Sequence, residues 1–186
     1  MWSPGEQAPM RNLLLVTGAP GSGKTTIIRK AADRVTGAGG FFTEEIREEG
    51  QRLGFRMVTL SGQTGVLAAV DMRSRFRVGK YGVDIAALES VGVAALETAI
   101  TSSRFIVVDE IGKMEILSDK FKSAVLKAIE SGKPVLATIM LAPHPWADAI
   151  KARPGTTLLE VTRANREKVW QEVERLLPGQ ERLIHG

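Results

Sequence analysis

This sequence predicts an α/β fold with a mainly parallel sheet, helices on both faces and an added β-hairpin. Two observations carry that prediction. Short apolar runs of strand length alternate with stretches at helical spacing, and such alternation implies right-handed crossovers into a parallel sheet. Between the first run and the first helix stands a glycine-rich segment, Gly18-Ala19-Pro20-Gly21-Ser22-Gly23-Lys24-Thr25, so that strand, loop and helix follow one another directly.

The elements read in order as follows. Asn12–Thr17 is a short apolar run with the pattern of a buried parallel strand. Lys24 to Val35 has helical spacing, with Ile27, Ile28, Ala31, Ala32 and Val35 on one side, and Gly37-Ala38-Gly39-Gly40 reads as its stop. Phe41–Arg47 and Leu53–Leu60 flank Glu48-Glu49-Gly50-Gln51 as a hairpin. Ser61 to Gly65 is a turn cluster, Val66–Val70 a further short strand, and Arg73–Tyr81 an extended edge or loop segment. Asp84 caps a helix from Ile85 to about Thr101. Phe105–Val108 is a second buried strand, and Ser118 or Asp119 caps a helix to Glu130. Pro134–Ile139 and Thr156–Val161 are further strands, and the last helix runs from Arg163 or Ala164 to Leu177 before Pro178-Gly179. Trp146 and Trp170 fall in helical patterns as core or interface residues, and His144 and His185 read as surface residues.

With 186 residues, 44% hydrophobic and 25% charged, the chain fits one domain with a sizeable core over residues 11–186, and residues 1–10 read as a disordered lead-in. Its longest apolar runs fall short of a membrane span, and its first residues lack the apolar core of a signal peptide. The absence of cysteine excludes disulfides, thiolate zinc sites and Cys nucleophiles. Together these place the expected protein in the cytoplasm, away from membranes and acting as a monomer. A net charge of +4 fits either a basic cleft for a polyphosphate or a nucleic-acid surface, and does not choose between them.

The glycine segment carries the first chemistry. Backbone N–H groups of such a loop, and the positive end of the helix it opens, point at phosphate oxygens. The nucleotide-binding set is therefore Gly18, Ala19, Pro20, Gly21, Ser22, Gly23, Lys24, Thr25 and Thr26, with Lys24 reaching the β- and γ-phosphates and the Thr25 hydroxyl placed for Mg²⁺. Its partner is an apolar strand that ends in acids, Phe105-Ile106-Val107-Val108-Asp109-Glu110. Asp109 would hold Mg²⁺ and Glu110 would orient or deprotonate an attacking water. In Ile111-Gly112-Lys113-Met114-Glu115, Lys113 would set an ammonium near the transferring phosphoryl group, with Glu115 pairing with it or with another base. An ordinary solvated Lys/Glu pair is the alternative.

At these motifs the chain resembles the small cancer-related nucleoside-triphosphatase family of P-loop proteins. The likeness rests on Thr17–Thr26, Gly40–Arg47, Arg52–Phe55, Val78–Asp84, Val108–Glu115 and Val161–Arg166, and runs from about Asn12 to about Leu176. It implies a RecA-like sheet and Mg²⁺-dependent hydrolysis of ATP, GTP, CTP and UTP to the diphosphate and phosphate. It also carries nucleotide contacts onto Phe105, Ile106, Val107, Val108, Asp109, Glu110, Ile111 and Gly112. Phe42 stands where many relatives have Tyr, which removes a hydroxyl.

Further residues carry two readings each. Arg47 is either a charge stabiliser near the γ-phosphate or part of a solvated edge strand. Arg73, Arg75, Arg77 and Lys80 form a nucleic-acid patch, a phosphate clamp or a solvated face. Asn165 and Arg166, at the carboxyl end of the last strand, border the base or ribose or cap the last helix. Hydrolysis of nucleoside triphosphates is the leading expectation. A nucleotide or small-molecule kinase, and a module whose nucleotide state controls an RNA or protein partner, are the rivals.

Overall fold

The computed structural model describes residues 12–178. The expected lead-in at residues 1–10, Gly179 and His185 lie outside this range. Among the described residues nine strands form one sheet in the order β5-β6-β4-β3-β2-β7-β8-β1-β9. They are β1 (Leu13–Thr17), β2 (Ala38–Glu48), β3 (Gln51–Thr59), β4 (Thr64–Ala69), β5 (Arg77–Val78), β6 (Tyr81–Val83), β7 (Phe105–Ile111), β8 (Val135–Ile139) and β9 (Thr156–Glu160). The half from β2 to β9 is parallel throughout. Beyond β2 the sheet continues antiparallel through β3, β4, β6 and β5. The expected hairpin is thus the inner part of a four-strand antiparallel extension. Arg73–Tyr81 supplies its edge strand β5 and the start of β6.

The inner parallel strands β1, β7 and β8 are buried on both faces, and their alternation divides the core in two. Leu13 and Leu15 of β1, with Ile106 and Val108 of β7, join Phe41, Met57, Leu96 and Phe121 on one face. Leu14 and Val16, with Phe105 and Val107, join Ile27, Ile28, Val169 and Trp170 on the other. The second face is covered by α1 (Lys24–Arg34) and α6 (Arg166–Leu176). Burial of Ile27 and Ile28 alone holds α1 down by about 2 kcal/mol each. The first face takes the helical stretch α2 (Ile85–Ala87), a π-helical segment at Leu88–Val93, and α3 (Ala94–Ser102). It also takes α4 (Asp119–Glu130) and α5 (Pro145–Lys151).

Several expectations need correction. Ile85–Ser102 is long and apolar enough, by length and composition, to cross a membrane. It serves as a core helix, because Leu88, Val93, Leu96 and Ala99 are buried against the sheet. Ala38-Gly39-Gly40 does not end α1 in a loop but begins β2, paired with Phe105, Ile106 and Val107. Gly40 is fixed there by close approach: its φ is +120°, and a Cβ would stand 1.9 Å from the Val107 carbonyl oxygen. The hairpin turn is tighter than expected, at Glu49 and Gly50, both with positive φ, as a two-residue type I′ connection requires. The last helix begins at Arg166 rather than at Arg163 or Ala164, because residues 162–165 form their own turn.

Candidate active site

The carboxyl ends of β1, β7 and β8 lie side by side, and β8 separates the loop-bearing strand from the acidic one. The loop leaves β1 after Thr17, whose hydroxyl donates to the Ile139 carbonyl at 2.8 Å and ties the loop's root to the end of β8. It enters α1 through Gly23, with φ +105°. A Cβ there would meet Arg166 Nε at 2.5 Å. Gly23 offers no side-chain acceptor to the first turn, and no acidic residue stands in that turn. The first-turn N–H groups and the dipole of α1 are therefore left available to an anion, with no capping side chain or acidic residue competing for them.

Lys24 folds back over the loop, with Nζ donating to the Gly18 carbonyl at 3.0 Å and the Ala19 carbonyl at 3.3 Å. Its ammonium sits within the loop's curve, and its charge reaches both acids at the end of β7. Asp109 is 1% exposed. Oδ1 accepts from the Thr138 hydroxyl of β8 at 2.7 Å, while Oδ2 is buried with no hydrogen-bond partner. Burial pushes the Asp109 carboxyl above the usual range, against Thr138, the nearby Thr25 hydroxyl, the bond at Thr43 and the Lys24 charge. Thr25 approaches this carboxyl without completing a hydrogen bond to it. An unpartnered carboxylate oxygen beside a hydroxyl, in a buried setting, is a fitting donor pair for a hard divalent cation such as Mg²⁺. Among the described residues no group of three or more His, Cys, Asp or Glu could hold a metal, so such an ion would draw its remaining ligands from phosphate oxygens and water.

Glu110 follows directly and is partly exposed. Burial, then the Asp109 charge, raise its carboxyl above the ordinary value, and Lys24 lowers it. A raised carboxylate is a better proton acceptor. Behind it lies Glu115, 4% exposed, with Oε2 accepting from the Gly112 backbone N–H at 3.2 Å. Gly112 lets the two acids close up: a Cβ there would stand 3.0 Å from Glu115 Oε2 and 3.3 Å from Glu110 Cδ. Burial first, then the Glu110 charge, push the Glu115 carboxyl up to about 8, so it is protonated at neutral pH. Glu115 thus pairs with Gly112 and faces Glu110 rather than pairing with Lys113. Lys113 is exposed in the turn after β7.

Arg166 lies against the loop itself, Nε donating to the Ser22 carbonyl at 3.0 Å. Asn165 closes a turn with Thr162: its Oδ1 accepts from the Thr162 N–H, its own N–H donates to the Thr162 hydroxyl, and Nδ2 donates to the Glu160 carbonyl. The helix-capping reading of this pair is not met by the Asn165 side chain, which makes no hydrogen bond to the first turn of α6, and Arg166 supports the loop. Arg47 bonds within the hairpin, to Glu45 and the Gly50 carbonyl. Phe105, Ile106, Val107 and Val108 are buried as strand residues that present Asp109. Sequence reasoning missed Thr43, which donates to the Asp109 carbonyl, and Thr138. Thr43 stands in the Gly40–Arg47 block without a role being read for it, Thr138 stands in no motif, and the strand order brings both to Asp109.

Known proteins resemble this chain over most of its length. A family model described as NTPase matches residues 13–174. A nucleoside-triphosphatase THEP1 from Thermotoga petrophila is 48% identical over 160 residues, covering 86% of this chain and 89% of that protein. One of the same name from Methanocaldococcus jannaschii is 37% identical, covering 89% and 98%. The crystal structure of THEP1 from Aquifex aeolicus superposes with a TM-score of 0.81 at 36% identity, covering 89% and 98%. The solution structure of a human cancer-related nucleoside triphosphatase gives 0.79 at 34% identity, covering 92% and 100%.

Proposed function

The chain belongs to the NTPase family, whose relatives are named nucleoside-triphosphatases, and from that premise we propose that it hydrolyses nucleoside triphosphates to the diphosphate and phosphate in a Mg²⁺-dependent reaction. The observation that carries this reading is the meeting of Asp109 and Glu110, at the end of β7, with Lys24 and Thr25 at the start of α1. Loop N–H groups and the α1 dipole bind the phosphates, and Lys24 neutralises oxygens at the β/γ end. When bound, Mg²⁺ supplies charge neutralisation on the transferring phosphoryl group. Thr25 and the free Oδ2 of Asp109 would hold it, with Thr138 fixing the other carboxylate oxygen. Glu110 orients a water and takes its proton, its raised carboxyl suited to that transfer. Specificity among bases is loose, since the groups engaged address phosphates rather than a base edge. The enzyme works as a monomer in the cytoplasm.

A panel of ATP, GTP, CTP and UTP, each with Mg²⁺ or with chelator and with no other acceptor present, tests this. Phosphate release from all four, abolished by chelator, is expected. Release unaffected by chelator would reject the metal's role, and no release from any triphosphate would reject hydrolysis.

A further inference from the structure

One buried acid just beyond the end of β7 takes no part in holding the metal or the phosphates. Glu115 is 4% exposed, and the charged groups that act on it, Glu110 and Asp109, are both negative. Burying a carboxyl beside two others costs stability, and acids placed in this way concentrate at functional sites. Its position is set by the turn that follows β7. Glu115 opens a single 3₁₀ turn over Glu115–Leu117, in which the Ile116 N–H donates to the Gly112 carbonyl and the Ser118 N–H to the Glu115 carbonyl, each at 3.1 Å. The chain folds back, and Glu115 Oε2 accepts from the Gly112 N–H at 3.2 Å.

Gly112 is thus held at both its N–H and its carbonyl, two residues after Glu110. On the side of Gly112 that lacks a Cβ the two acids converge: a Cβ there would stand 3.0 Å from Glu115 Oε2 and 3.3 Å from both Cγ and Cδ of Glu110. Among the described residues no hydrogen bond acts on the Glu110 carboxyl, so its direction is set by the fixed turn and by what packs against it. We propose that Glu115 is a positioning residue for Glu110, which it holds toward the water at the γ-phosphate by packing against it across Gly112 and by pinning the Gly112 N–H. This inference rests on the reading of Glu110 as the group that addresses the water. A misdirected base slows the chemical step and leaves the loop's grip on the phosphates intact, so the contact is felt in kcat and not in KM.

Steady-state and single-turnover phosphate release from ATP with Mg²⁺ test this on the full chain. The variants are Glu115→Ala, Gly112→Ala and Glu115→Gln, each made alone and together with Glu110→Gln. Glu115→Ala removes the contact, and Gly112→Ala pushes a methyl group between the two carboxyls. Either should lower kcat at least about tenfold, with KM for ATP within about twofold of the parent. Glu115→Gln keeps the shape and an acceptor for the Gly112 N–H, and should stay within about threefold of the parent kcat. Combined with Glu110→Gln, all three should leave the residual rate of that variant unchanged, because no base remains to be positioned. A merely structural role would lower the rate by the same factor with and without Glu110. That result overturns the inference, as does parental kcat in both alanine variants. No phosphate release from the parent is a distinct outcome, which would overturn the hydrolase reading and this inference with it.

Discussion

Replacing Glu115 by Gln should give a protein that is more stable than the parent at alkaline pH and no more stable than it in mild acid. The Glu115 carboxyl is 4% exposed and titrates near 8, against 4.5 for an unperturbed glutamate. Because the folded value is raised, its contribution to stability is complete below about 4.5 and is lost as pH climbs to about 8. Each pH unit in that window removes about 1.4 kcal/mol, so the loss across it is on the order of 5 kcal/mol, of which about 4 kcal/mol falls between about pH 5 and 9. Glutamine stays neutral at every pH and can keep the Gly112 N–H bond through its amide oxygen. Urea unfolding of the nucleotide-free protein at about pH 5, 7 and 9 measures the difference. The parent should lose stability relative to the variant by that amount from the lowest pH to the highest. A difference that stays constant with pH would show that Glu115 ionises normally, and that the crowding with Glu110 across Gly112 has been misread.

Three further outcomes follow from the geometry. Gly40→Ala should cost roughly 3 kcal/mol or more, seen as a fall in melting temperature, since positive φ and the Val107 carbonyl both oppose a Cβ. Arg166→Met should cost about 1 kcal/mol for the bond to Ser22 and raise the KM for triphosphate with kcat less affected, in steady-state kinetics. Thr138→Val, which releases Asp109 Oδ1, should raise the Mg²⁺ concentration needed for half-maximal phosphate release.

The parts of this molecule that chemistry constrains locally could be read from the chain. Phosphate binding demands glycines, a lysine and a hydroxyl at fixed spacing, and an acidic strand end beside them, so the segments at Gly18–Thr25 and Val108–Glu110 were visible without a structure. The buried parallel strands were visible for a similar reason, since apolar runs of that length have few other places to go. What depends on distant packing was hidden. Arg166 meets Ser22 across 144 residues, and the interaction of Glu115 with Gly112 in place of Lys113 follows from how the chain turns after β7. Gly39 and Gly40 read as part of a helix stop because their role as a close-packed strand beside β7 exists only once β7 is there. The two- and three-residue strands β5 and β6 are too short to show a period, and only the pairing of β6 with β4 and of β5 with β6 defines them.

The central claim is that Glu110 addresses a water at the γ-phosphate, and phosphate release from ATP by Glu110→Gln, with Mg²⁺ and no other acceptor, tests it most directly. Removal of a general base should slow release by at least about 100-fold while ATP still binds with near-parental affinity, because the loop, Lys24 and Thr25 are untouched. Release at the parent rate from a variant that binds ATP normally would contradict the account.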